Sequence, residues 1–146
     1  MNDIDDFAAR FQTCMLRKEE WTHQAHLVVG VWHIDRYGAD EALMRLRSGI
    51  RRLNESFGGE NTATSGYHET ITAAYVILLS QFLERREAGV PLAHVVAQLL
   101  GGPLAAKDVL LSFYSRDRLM STEARAIWVE PDLRPVELTT VLVTPV

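Results

Sequence analysis

The stretch from His23 to Tyr37 constrains this chain more than any other. Its middle, Leu27-Val28-Val29-Gly30-Val31-Trp32, is apolar on nearly every side of a helix, and such a helix has to be enclosed by neighbours rather than laid on a surface. Thr22 supplies a hydroxyl acceptor for a first-turn N–H, and Gly38 supplies the left-handed stop. A buried helical spine of this kind predicts an all-α domain built around it.

The rest of the chain supplies the wrapping. Ile4, Phe7, Ala8, Phe11 and Met15 recur at helical spacing and predict an opening helix over 3–16. Ala42, Leu43, Leu46, Ile50 and Leu53 form the stripe of a third helix, Asp40 to about Ser56. A fourth spans Tyr67 to Glu87, and prolines at first-turn positions open a fifth (Leu92–Leu100) and a sixth (Leu104–Phe113). Tyr114 to Met120 reads as a charged turn, and Ser121 caps a last helix through Trp128. With 146 residues, 47% of them hydrophobic, the chain suits one ordinary core. The expected architecture is a compact single-domain bundle of six to seven helices over 1–135. A short apolar tail, 136–146, follows; its β-branched residues predict an extended form, paired at an edge, on a second chain, or loosely packed.

Charge and motif content exclude several classes. Fifteen Lys and Arg against nineteen Asp and Glu give a net charge of −4, a poor footprint for nucleic acid. Arg45, Arg47, Arg51 and Arg52 read as a solvated face paired with Glu41 and Glu55. The single Cys14 can form neither an internal disulfide nor a cysteine-rich zinc site. The acidic N-terminus and the lack of a long apolar run predict a cytoplasmic protein that uses no membrane. Phosphate-cradling glycine loops and the nucleophile-elbow serine pattern are missing.

Histidine carries the chemistry. His23 and His26 lie three apart in one first turn, and His68 with Glu69 opens the fourth helix. If the second, third and fourth helices alternate in direction, the second and fourth run parallel. Their starts then share one end of the bundle beneath the Gly58–Gly66 loop, which could cover a small ligand. Helix N-termini disfavour imidazolium, so His23, His26 and His68 are candidate ligands for one divalent transition metal. His23, His68 and Glu69 are likewise candidate acid–base groups. The plain alternative is that each ring hydrogen-bonds a nearby carbonyl; no H-E-x-x-H pattern accompanies them. His33 lies about 15 Å along the helix from His23 and reads as a core residue, and His94 as a surface one. Trp21 is a candidate pocket wall. A second cluster, Tyr114, Arg116 and Arg118, joined by Tyr67, is a candidate anion-binding group. Its structural alternative is a helix–helix joint in which the arginines satisfy carbonyls.

Several strings carry a likeness: Trp21-Thr22-His23-Gln24-Ala25-His26-Leu27, Gly66-Tyr67-His68-Glu69-Thr70 and Phe113-Tyr114-Ser115-Arg116-Asp117-Arg118-Leu119. In these the chain resembles a family of small bacterial helical proteins of unassigned function. The likeness runs over about residues 21–133. It implies a compact, bacterial, cytoplasmic protein, and it implies that the two polar clusters belong together; it implies no substrate. Two functions follow as expectations. One is a metal-binding or acid–base enzyme of small-molecule metabolism. The other is a non-catalytic module that binds a small anion or docks on a protein, a homodimer through the tail included.

Overall fold

The computed structural model describes residues 3–142, and among them every regular element is helical. Eight α-helices follow in order: α1 (Asp3–Gln12), α2 (His23–Tyr37), α3 (Ala39–Ser56), α4 (Glu69–Glu84), α5 (Leu92–Leu100), α6 (Arg116–Leu119), α7 (Thr122–Ala126) and α8 (Leu138–Leu142). None is long and apolar enough to cross a membrane.

α2 is the expected spine. Thr22 Oγ1 accepts from the Ala25 N–H at 3.2 Å, and Gly38 ends the helix with φ of 82°. Leu27, Val29, Gly30, Val31, Trp32, His33 and Ile34 are all buried. α1, α3, α4 and α5 pack around it. Phe11 of α1 is clamped between Trp21 (centroids 5.3 Å apart) and His33 (5.5 Å) and lies over Gly49 of α3.

Three contacts set the relation of α2 to α4. His23 meets Tyr75, Gly30 meets Leu79, and Asp35 pairs with Arg86 just beyond α4 at 2.9 Å. The numbers rise together, so the two helices run parallel as the loop pattern implies. That register decides the geometry of the site.

The C-terminal third departs from expectation in three places. The span 104–113 is not one helix but two 3₁₀ turns, Pro103–Ala105 and Val109–Ser112, because Ala106 is extended (ψ 135°) and breaks the run. Residues 116–119 of the charged turn form the single-turn helix α6, capped by Ser115. The tail expected to be extended over 136–146 is instead anchored. Val136 and Leu138 are buried, Leu138 begins α8, and Gln81 Oε1 accepts the Leu138 N–H at 2.7 Å. A side-chain cap there does what a partner strand would have done, satisfying the backbone locally. Residues 143–146 of that tail lie outside the described part.

Candidate functional site

Gly30 of α2 lies close to Leu79 of α4, and toward the α2 N-terminus Leu46 and Ile50 of α3 add a third wall. A cavity of about 660 Å³ lies there, within the ordinary range for small-molecule sites. Leu27, Leu46, Ile50, Ile71, Val76 and Leu79 make its walls apolar. Thr22, His23, Gln24, His26, Thr72, Tyr75 and Lys107 add the polar groups, and Trp21 completes the lining.

The two histidines of α2 behave differently. His26 stacks on Trp21 with ring centroids 3.8 Å apart, and its Nδ1 lies 2.7 Å from the Thr22 carbonyl. A carbonyl only accepts, so Nδ1 carries the proton and Nε2 is left as the basic atom. The ring is reached from the cavity yet crowded by protein. Loss of hydration lowers its pKa, the Thr22 carbonyl opposes this, and His23 adds a smaller push downward. His23 sits edge-on to Tyr75, centroids 5.8 Å apart, and its Nε2 is buried with no hydrogen-bond partner among the described residues. An unmet polar atom of this kind costs about 1–3 kcal/mol. Burial, with Asp108 assisting, pushes the Tyr75 phenol up to about 12, so it is a donor at any physiological pH.

Of the residues expected to converge here, His23 and His26 line the cavity; His68 and Glu69 do not. The reason is register. Tyr75 stands opposite His23, and His68 precedes Tyr75 by seven residues, about 10 Å further along the axis. At that distance His68 serves another end. Its Nδ1 accepts from the Ile71 N–H at 3.1 Å, capping α4, so Nε2–H donates to the Leu119 carbonyl at 2.8 Å. Burial lowers its pKa, and both ring nitrogens are occupied. Glu69 is engaged by Arg47 through two bonds, 2.6 and 2.8 Å, and by the Tyr67 hydroxyl at 2.8 Å. Arg47 foremost among these holds the carboxyl below its usual range. Among the described residues no three His, Cys, Asp or Glu side chains gather as a metal site. The triad His23, His26 and His68 is thus split between two places.

The second cluster also has structural partners. The Tyr114 hydroxyl donates to the Val129 carbonyl at 2.7 Å, and Arg118 Nε donates to the Glu130 carbonyl at 2.6 Å. The helix–helix joint offered as the structural alternative is not formed as such: of the two arginines Arg118 alone bonds a carbonyl, and that carbonyl belongs to the non-helical segment at 129–130. Arg116 is exposed, and none of Tyr67, Tyr114, Arg116 and Arg118 lines the cavity. The 57–66 loop does not cover it either. Asn61 pins that loop by accepting from Asn54 and from the Tyr67 N–H and by donating to the Arg51 carbonyl. His33 is the core residue expected, donating from Nδ1 to the Val29 carbonyl at 2.7 Å.

Sequence reasoning missed Tyr75, Thr72 and Lys107. The first two were findable: in a mostly apolar helix, Ile71, Thr72, Tyr75 and Leu79 stand three or four apart on one face. Lys107 lies in a break between 3₁₀ turns, which no periodicity marks. Comparison with family models, with curated proteins and with solved structures returned no match.

Proposed function

We propose that this protein binds a small, largely apolar molecule in the cavity between α2, α3 and α4, with His23, His26 and Tyr75 meeting its polar part. One observation carries the reading: an apolar cavity of about 660 Å³ is lined by His23, whose buried Nε2 has no hydrogen-bond partner among the described residues. Buried polar atoms in folded proteins are nearly always paired, so an occupant toward which the His23 ring turns to find a partner offsets a standing cost. Surface docking or a structural metal would leave this volume unexplained.

The tautomer of His26 favours an acid–base extension of the same reading. A neutral imidazole anchored through Nδ1–H, with Nε2 free, is the state a general base requires. His26 then takes the proton-accepting role expected of His23 or His68; both nitrogens of His68 are committed.

Two-dimensional amide NMR with 1-decanol as a neutral probe tests the binding. Shifts should concentrate on Trp21, Ile71, Thr72 and Tyr75 and should disappear in Ile71→Trp, which fills the cavity. Shifts spread over the surface, or retained in Ile71→Trp, would sink the proposal.

A further inference from the structure

The cavity also carries information about the charge of its occupant, and the argument rests on the reading just given. Its lining contains no Asp or Glu, and it contains Lys107. Lys107 is exposed and forms no ion pair among the described residues. The Tyr75 hydroxyl likewise makes no hydrogen bond among them. Tyr75 contacts His23 and also feels the charge of Asp108, the chain neighbour of Lys107. His23, Tyr75 and Lys107 thus line the same cavity, and Lys107 is its one lining cation among the described residues.

We infer that the occupant is an organic acid, its hydrocarbon body against Leu46, Ile50, Ile71 and Leu79 and its carboxylate toward Tyr75 and Lys107. These two offer a phenolic O–H and an ammonium, both donors, to a group that only accepts. An amine would meet no carboxylate in the lining, and an alcohol would leave the ammonium unused. Asp108 works against the acid from outside. It is exposed and, unlike Lys107, does not line the cavity, so its charge acts through water that screens it. Its presence gives the test a second sign.

Titration calorimetry at low salt with decanoate, 1-decanol and decylamine separates the cases. Wild type should bind decanoate about ten-fold or more tightly than decanol, and decylamine most weakly. Lys107→Gln should weaken decanoate about three- to ten-fold and Asp108→Asn should strengthen it, with decanol unmoved by either. Both positions are exposed, so the variants keep the fold. Equal affinity for decanoate and decanol, or an unchanged decanoate affinity in Lys107→Gln, overturns the acid while leaving the cavity reading intact. Binding of neither compound overturns both.

Discussion

His68 shows how a residue that reads as chemical from sequence can be spent on structure. Its ring does two jobs at once, capping α4 through Nδ1 and tying that cap to Leu119 through Nε2. Replacement by Ala removes both and should cost about 2 kcal/mol; Asn, a good cap, should recover about half. Chemical denaturation of the three proteins reads the difference directly. The pH dependence carries a sign. The folded ring titrates below the ordinary 6.5 because burial disfavours its charge, so as pH falls the unfolded chain takes up the proton first. Its contribution is therefore complete above about pH 6.5 and is lost as pH falls through the lower folded value. His26 and His33 are shifted the same way, so His68→Asn should flatten the acid limb of the stability profile without abolishing it. An unchanged limb would count against this role. The sequence placed His23 and His26 correctly in one turn because i, i+3 spacing is local. It could not separate them from His68, because the offset between two helices is a tertiary quantity.

At the scale of elements, two glycines inside helices make opposite forecasts. A Cβ on Gly49 would lie 2.6 Å from two atoms of the Phe11 ring. That ring is buried and held between Trp21 and His33. Gly49→Ala should cost about 1–3 kcal/mol through overpacking. A Cβ on Gly30 would lie 2.9 Å from Leu79 Cδ1, the tip of a side chain that borders the cavity. Leu79 can turn into that space, and Ala restores roughly 1 kcal/mol of helix propensity. Gly30→Ala should thus melt at or above the wild-type temperature yet bind decanol more weakly. Thermal denaturation and calorimetry on the same two variants check both statements. Helix limits were legible where the stop signals are backbone chemistry: α2 ends where Gly38 demands, and α5 follows Pro91. They were not legible over 104–113, where apolar residues are frequent enough to imitate a helix while Ala106 is extended.

For the molecule as a whole, the C-terminal segment changes meaning. Read from the sequence as an apolar tail, it invites a partner chain, and a tail of that kind could be removed after Asp132 without harm to the fold. With Val136 and Leu138 buried and Leu138 N–H held by Gln81, removal instead strips two apolar side chains worth about 1.5–3 kcal/mol each. Against a total stability of about 5–15 kcal/mol, the truncated chain should lose most of its cooperative unfolding transition by circular dichroism. A truncation that melts like the full chain would restore the tail reading.

The stack of Trp21 on His26 at the cavity has an optical consequence. An indole 3.8 Å from an imidazole is an emitter beside a quencher whose strength changes with protonation and with anything that separates the pair. The other two tryptophans, Trp32 and Trp128, stand on Asp5 and Glu130 and do not border the cavity. Replaced by phenylalanine, they leave a chain whose single tryptophan lines the cavity. The protein thus carries a built-in gauge of occupancy, legible without labels, dyes or knowledge of the compound that enters.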